Sequence, residues 1–215
     1  MDHHKGQNLL RGGAPLKGAR AAMVLIHGRG ASADDIYSLG EEASSGIAGV
    51  ALLAPQAAGG AWYPQRFLAP LALNEPYLGS ALGIVAALVD EIARAGVAPE
   101  KVILLGFSQG ACLALEFAAR HPRRYGAVVG LSGALIGPPG SPRKVGASLA
   151  GTPVYLGCSD RDAHIPLPSV EESAEVLAKM GAQVTKSIFP GMGHTVNEEE
   201  LGAVRGLLRG LVPGI

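Results

Sequence analysis

Residues 102–115 read Val-Ile-Leu-Leu-Gly-Phe-Ser-Gln-Gly-Ala-Cys-Leu-Ala-Leu, and this stretch decides the fold class. Its first four apolar residues predict a buried strand, and a helical pattern runs from Gly110 to Arg120 directly after it. Between them, Gly106 to Gly110 fits the pattern G-x-S-x-G, in which a strained strand-to-helix turn exposes a serine above a sheet. The motif alone is weak because glycine and serine are common. Its position between a strand and a helix predicts that Ser108 is a nucleophile.

Further strands and helices alternate along the chain on both sides of this turn. The strands are continuous apolar runs, as expected for a parallel sheet covered on both faces. They are predicted at 22–26, 50–53, 102–105, 127–131, 153–156 and 184–189. Helices are predicted at 78–95, 110–120 and 169–180, the last capped by Ser169, and a final helix is predicted to follow the cap Asn197. The alternation predicts one α/β domain over 1–215 with a doubly wound, mostly parallel sheet flanked by helices.

Two segments stay outside this alternation. Residues 1–20 are predicted to be an N-terminal lead-in. Residues 59–76, rich in proline and aromatic residues, are predicted to be a lid or a pocket loop because loops of this length are usually functional or disordered.

Composition excludes several classes of partner. The 18 Lys and Arg residues balance the 18 Asp and Glu residues, so nucleic acid is not expected as a partner and a neutral substrate is favoured. No apolar run reaches the ~18 residues of a membrane span, and the N-terminus has no signal-peptide core, so a cytoplasmic location without stable membrane insertion is expected. The two cysteines are expected to be reduced. A fairly apolar surface is compatible with a homodimer.

A serine nucleophile needs a base and an acid that orients the base. His194 follows the last predicted strand, at the carboxyl edge of the sheet where ligands bind, and is the predicted base. His121 precedes a proline at a helix end and is expected to be structural. Either Asp160 or Asp162 follows the strand at 153–156, and spacing alone does not choose between them. The pattern Asp-x-Asp-x-His also resembles a metal site, but no other set of ligands accompanies it.

The oxyanion of an acyl-transfer intermediate needs two backbone N–H donors. One is expected from Gln109, the residue after the nucleophile. The other is expected from Arg29 in the glycine-rich turn 27–30, which leaves the Arg29 side chain free to face solvent or substrate. His27 at the start of this turn is expected to make structural hydrogen bonds.

The sequence resembles the small carboxylesterase, phospholipase and acyl-protein thioesterase family of α/β-hydrolases. The resemblance runs from residue 22 to the last helix and rests on the stretches LIHGRG, APQAAGGAWYP, LLGFSQGACLAL, LSGAL, SDRDAHIP and GMGHTV. It implies the α/β-hydrolase fold with a minimal cap or none. The family acid lies four residues before a proline, which implies Asp162 rather than Asp160. The resemblance also implies the Arg29 and Gln109 oxyanion donors.

The aromatic pair Trp62 and Tyr63 is expected to line the substrate pocket, with core packing as the alternative. The family usually has an acidic or amide residue soon after this pair, and here Pro64 follows, so the loop and the substrate length it admits depart from the pattern.

These features together predict a serine esterase that acts on short to medium acyl esters through Ser108, His194 and Asp162, without a cofactor or a metal. Acyl-protein thioesterase and lysophospholipase activities are the alternatives within the same chemistry. A binding protein that has the fold but no catalysis is the alternative from another class.

Overall fold

Strands and helices alternate through most of the chain, in a computed structural model that describes residues 3–142 and 148–213. The strands are β1 (Leu9–Gly13), β2 (Ala21–Ile26), β3 (Val50–Pro55), β4 (Val102–Phe107), β5 (Ala127–Leu131), β6 (Pro153–Ser159) and β7 (Gln183–Phe189). The helices are α1 (Ala33–Ser44), α2 (Tyr77–Arg94), α3 (Gln109–Arg120), α4 (Leu167–Lys179) and α5 (Glu198–Leu211). Among the described residues, no helix is long and apolar enough to cross a membrane.

The seven strands form one sheet in the order β1-β3-β2-β4-β5-β6-β7. All neighbouring strands are parallel except β1, which pairs antiparallel with β3 at the edge. Because the neighbouring parallel strands share one direction, the segments that follow β2, β4, β6 and β7 emerge at the same edge. The predicted doubly wound, mostly parallel sheet is confirmed.

Helices cover both faces of the sheet, which explains why the strands are continuously apolar. On β2, Val24 and Ile26 belong to the core that also contains residues of α2, α3 and α4. Met23 and Leu25 belong to the core on the other face, with residues of α1 and α5. Successive side chains of a strand point to opposite faces, so a strand buried on both sides has no polar positions.

The structure differs from the predicted elements at three places. Strand β1 lies within the predicted lead-in, where two glycines and partial exposure hide the strand pattern. Helix α1 was not predicted, although the reciprocal hydrogen bonds of Ser32 and Asp35 form a capping box at its start. Helix α4 begins at Leu167 after Pro166, so the prediction that Ser169 caps it is wrong. Asn197 does cap α5, as predicted.

Close packing of β2 against the start of α3 requires a glycine at position 110. A Cβ added to Gly110 would lie 2.0 Å from the carbonyl oxygen of Ile26. We expect Gly110→Ala to lower the free energy of unfolding in urea by about 3 kcal/mol because the backbone must shift. Gly83→Ala in α2 is the control, since its Cβ would meet no atom within 4 Å, and it should gain ~0.5–1 kcal/mol. Equal stability of the two variants would contradict this packing.

Candidate active site

Ser108 lies on the sharp turn between β4 and α3. Its backbone has φ 55° and ψ −119°, a conformation that residues other than glycine rarely adopt. The Ser108 N–H donates to the carbonyl oxygen of Leu131 on the neighbouring strand β5, at 2.9 Å. The turn is possible because Gly106 and Gly110 pack against each other, and a Cβ at Gly106 would lie 2.2 Å from the Gly110 carbonyl carbon. The packing of Gly106 against Gly110 therefore keeps the strained backbone of Ser108 in this conformation.

A chain of hydrogen bonds joins Ser108, His194 and Asp162 across the edge of the sheet. His194 Nε2 lies 2.8 Å from Ser108 Oγ, and His194 Nδ1 lies 2.7 Å from Asp162 Oδ2. The Asp162 side chain is fully buried, whereas the His194 side chain is 19% exposed. The loop after β4 carries the serine, the loop after β6 the aspartate and the loop after β7 the histidine. The structure thus brings together residues that are up to 86 positions apart.

Asp162 is held as an ionised acceptor. Burial by itself raises the pKa of Asp162, but hydrogen bonds from His194 and from the N–H groups of His164 and Ile165 lower it below its ordinary value. These two backbone donors lie 2.8 and 3.0 Å from Oδ1, which leaves Oδ2 for His194. Because an ionised carboxylate only accepts, His194 carries its proton on Nδ1, and Nε2 is free to accept from Ser108.

Asp160, the alternative acid, has a different partner. Its Oδ1 accepts from the N–H of Gly191 at 2.7 Å and so tethers the loop that leads to His194. Among the described residues, no group of three or more His, Cys, Asp and Glu side chains is arranged to hold a metal ion. His121 closes the carboxyl end of α3 and stacks on Phe117.

The turn after β2 lies directly against the serine. A Cβ added at Gly28 would be 3.4 Å from Ser108 Cβ, which is van der Waals contact. His27 Nε2 accepts from the Ala57 N–H at 3.0 Å, which leaves the ring proton on Nδ1 to donate to the Gly28 carbonyl oxygen at 2.7 Å. Burial lowers the pKa of His27 and keeps it in this neutral form. The C=O and N–H of a trans peptide point in opposite directions, so this bond turns the Arg29 N–H away from His27.

The second N–H beside the serine is that of Gln109, the first residue of α3. The first N–H groups of a helix have no partner within it, and they lie at the positive end of its dipole. Within the described residues, the Arg29 N–H also has no hydrogen-bond partner. Arg29 and Gln109, whose backbone N–H groups are available, line the same cavity as Ser108.

A family model described as phospholipase/carboxylesterase matches residues 13–211, nearly the whole chain. The chain belongs to the phospholipase/carboxylesterase family.

Two solved structures share the fold over almost the whole chain. A phospholipase/carboxylesterase from Dyadobacter fermentans is 36% identical, with a TM-score of 0.88, and the match covers 97% of this chain and 98% of that one. The esterase PE8 is 26% identical with a TM-score of 0.76, over 95% and 98% of the two chains.

Curated relatives match over a shorter region. Acyl-protein thioesterase 1 of Gibberella zeae is 32% identical over 59% of this chain and 54% of its own length. The putative esterase NocK of Nocardia uniformis is 33% identical over 62% of this chain and 39% of its own length. The match thus spans about half or less of these proteins.

A cavity of about 270 Å³ opens beside Ser108 in this family member. Tyr63 and Phe67 line it, together with Ile165 from the loop that carries Asp162. Trp62 does not line it, which corrects the expectation for this residue. Its side chain is fully buried, and the indole Nε1–H donates to the carbonyl oxygen of His27 at 2.9 Å. A buried indole N–H needs such a partner, and the bond turns the ring into the core.

The Arg29 side chain also differs from its expected free orientation. Its guanidinium donates to the carbonyl oxygens of Tyr63, Pro64 and Gln65 at 2.7, 3.0 and 2.7 Å. The Gln109 side chain holds the same segment, with Oε1 accepting from the Trp62 N–H at 2.8 Å and Nε2 donating to the Tyr63 carbonyl at 2.9 Å. The segment 62–65, which contributes Tyr63 and Gln65 to the cavity wall, is therefore fixed by the side chains of Arg29 and Gln109.

Sequence reasoning missed Phe67, Ile165 and Cys112 as cavity residues. Ile165 follows the aspartate in the quoted stretch SDRDAHIP, but its apolar character alone is typical of any core position. Cys112 is buried, and burial raises the pKa of its thiol to about 12, so it stays protonated and is unsuited to act as a second nucleophile. It serves as an apolar part of the cavity floor, as expected for a buried cysteine.

Glu200 in the first turn of α5 makes stability depend on pH. Burial raises its pKa to about 7, and although Oε2 accepts from the Asn197 N–H at 2.9 Å, Oε1 has no partner among the described residues. The raised pKa means that Glu200 binds its proton more tightly in the folded than in the unfolded protein. The resulting stability is fully present below about pH 4.5, where the group is protonated in both the folded and the unfolded state, and it is lost as the pH rises towards 7.

We therefore expect the wild-type protein to lose stability between pH 5 and pH 8. Glu200→Gln, which does not titrate, should lose on the order of 1–2 kcal/mol less over the same range. Urea unfolding at the two pH values checks this, with the exposed Glu198→Gln as control. The same loss in Glu200→Gln as in wild type would show that Glu200 does not titrate in this window.

Proposed function

We propose that this chain is a serine hydrolase that cleaves carboxylic esters through an acyl-enzyme on Ser108. The observation that carries the proposal is the chain of hydrogen bonds from Ser108 Oγ through His194 to Asp162, at 2.8 and 2.7 Å. It is the arrangement that a serine needs to lose its proton as it attacks a carbonyl.

Acylation begins when Ser108 Oγ attacks the ester carbonyl while His194 Nε2 takes its proton. The imidazolium that forms is stabilised by the buried carboxylate of Asp162. Negative charge develops on the carbonyl oxygen, and the N–H groups of Arg29 and Gln109 are its proposed donors. His194 then protonates the leaving alcohol, which departs and leaves the acyl group on the serine.

Deacylation repeats these steps with water as the nucleophile. His194 Nε2 takes a proton from water as its oxygen attacks the acyl carbonyl, and then returns a proton to Ser108 Oγ as the acid leaves. The histidine is partly exposed, so water reaches it from the cavity. Every proton in the cycle passes through one ring nitrogen.

The size of the cavity supports short to medium acyl chains. Its volume of about 270 Å³ lies near the lower end of the ~300–1,000 Å³ of typical ligand pockets. Tyr63 and Phe67 limit it, and the hydrogen bonds of Arg29 and Gln109 keep the backbone of Tyr63 in place.

A second candidate is hydrolysis of thioesters on acylated proteins, or of lysophospholipids. Of these two activities, the similarity to acyl-protein thioesterase 1 of Gibberella zeae favours thioester hydrolysis. The same serine chemistry serves both bonds, and a thiolate is the better leaving group. A binding protein without catalysis would have no use for the aligned hydrogen bonds of Ser108 and His194, so this class is disfavoured.

The test is rapid mixing with 4-nitrophenyl esters from acetate to palmitate, followed by mass analysis of the quenched protein. We expect a burst of nitrophenol, an acyl group mapped to the peptide that contains Ser108, and the fastest turnover with the shorter chains. A matched series of alkyl thioesters separates the two candidates. Absence of both turnover and acyl adduct in a folded protein would favour the binding protein.

A further inference from the structure

The cavity beside Ser108 is lined by positive but not by negative side chains. Arg29 and Arg66 line it, and none of its lining residues is Asp or Glu. The whole chain has a formal net charge of zero, so this charge is a local feature that composition does not reveal. Both arginine residues are exposed to solvent, so their charge can act on an incoming substrate but is partly screened by salt.

Arg29 is fixed in place without being neutralised. Three of its N–H donors are bound to the carbonyl oxygens of residues 63–65. Carbonyl groups accept hydrogen bonds but have no net charge, so the guanidinium keeps its full charge. A guanidinium has five N–H donors, so two remain for other acceptors.

Arg66 has no counter-charge among the residues that the structure describes. Its guanidinium makes no hydrogen bond or ion pair with any residue among 3–142 and 148–213. Its backbone is nevertheless held, because the buried Asn74 side chain accepts from the Gln65 N–H at 2.8 Å and donates to the Arg66 carbonyl at 3.3 Å. The side chain thus extends from an anchored position at the cavity, and none of its donors is bound to a residue in the described part of the chain.

The carboxylate of Asp162 offsets these charges only in part. Asp162 does not line the cavity, and both of its oxygens are bound, one to His194 and the other to the N–H groups of His164 and Ile165. When His194 takes a proton during catalysis, the negative charge of Asp162 is matched by the imidazolium. While His194 is neutral, the charge of Asp162 offsets part of the charge of the two arginines, and the net charge of these groups is positive.

We infer that the site takes esters that carry an anionic group, a carboxylate or a phosphate, and that Arg66 binds this group. A guanidinium matches the two oxygens of such a group in a forked geometry, and charge-assisted hydrogen bonds of this kind are about twice as strong as neutral ones. The inference rests on the proposed ester hydrolysis and replaces the neutral substrate that the zero net charge favours.

Two pairs of esters test on which side of the bond the anion lies. For the acyl side, 4-nitrophenyl hexanoate is compared with the mono-4-nitrophenyl ester of adipic acid, which has a carboxylate in place of the terminal methyl group. For the alcohol side, phenyl acetate is compared with 4-acetoxybenzoate. The ratio of kcat/KM between wild type and Arg66→Gln is measured for each ester, since this ratio cancels intrinsic reactivity.

We expect Arg66→Gln to lower kcat/KM about tenfold for the anionic member of at least one pair, mainly through KM, and to leave the neutral member within about twofold. High salt should weaken the wild-type preference. Arg209→Gln, an exposed arginine in the last turn of α5, is the control for the change in net charge and should behave as wild type. An equal effect of Arg66→Gln on both members of both pairs would overturn the inference.

A binding measurement separates this inference from the proposed hydrolysis. The Ser108→Ala protein is titrated calorimetrically with monomethyl adipate and with methyl hexanoate. Tighter binding of the adipate ester that is lost on adding Arg66→Gln supports the anion site even if no ester turns over. Equal binding of the two esters rejects the anion site even if hydrolysis is fast.

Discussion

Replacing Ser108 by alanine should lower kcat for ester hydrolysis by roughly 10⁵–10⁶-fold, to the residual level that binding and oxyanion donors alone provide. The reason is the loss of the hydroxyl oxygen that lies 2.8 Å from His194 Nε2. Alanine retains the Cβ, so the strained turn with φ 55° keeps its shape and the free energy of unfolding should change little. The measurement is steady-state hydrolysis of 4-nitrophenyl acetate by the two proteins at matched concentration.

Ser38→Ala is the control for this experiment. Its hydroxyl donates to the Asp34 carbonyl on the outer surface of α1, and its loss should leave the rate within about twofold, as for an exposed substitution away from the site. If Ser108→Ala kept more than about 1% of the wild-type rate after removal of contaminating esterases, another nucleophile would have to be sought.

Replacing Asp162 by asparagine should lower kcat by about 10⁴-fold while preserving the packing of the site. The N–H groups of His164 and Ile165 donate to Oδ1, so they select the amide oxygen for that position. The amide NH₂ then faces His194 Nδ1 and donates to it. The ring proton moves to Nε2, which can no longer accept the proton of Ser108.

Asp160→Asn is the matched control, two residues away. The amide oxygen of asparagine still accepts from the Gly191 N–H, as the Asp160 carboxylate does at 2.7 Å. We expect less than a tenfold loss, about the size of a lost or weakened surface hydrogen bond. Equal losses in the two variants would contradict the assignment of the acid to Asp162.

The site illustrates how far the spacing of residues carries a prediction. Ser108 was singled out because a strand, a glycine-framed turn and a helix are contiguous in sequence, so local pattern suffices. Spacing left Asp160 and Asp162 open, and only the resemblance to known hydrolases implied Asp162. In the structure, two backbone N–H groups from the same loop hold the Asp162 carboxylate in place. The Asp160 carboxylate is instead bound by the loop that leads to His194.

Local pattern was least informative where a side chain makes its bonds with a remote backbone. Trp62 was expected in the pocket and lies in the core, because the acceptor for its indole N–H is the carbonyl of His27. The Arg29 side chain was expected to be free and is bound to three carbonyl groups more than thirty residues away. Nothing within a few residues of either position signals these partners.

The sequence by itself determined the doubly wound sheet, since continuous apolar runs alternating with amphipathic helices bury well only in that architecture. It also determined that Ser108 lies on a turn at the carboxyl edge. Only the tertiary structure decided which groups meet there: the hydrogen bonds of His194, the cavity wall held by Arg29, and the charge of Arg66 at the cavity. The physical reason is separation along the sequence. Propensity and periodicity act within one helix or strand, whereas the hydrogen bonds and charges of the site join loops that only the folded sheet brings together.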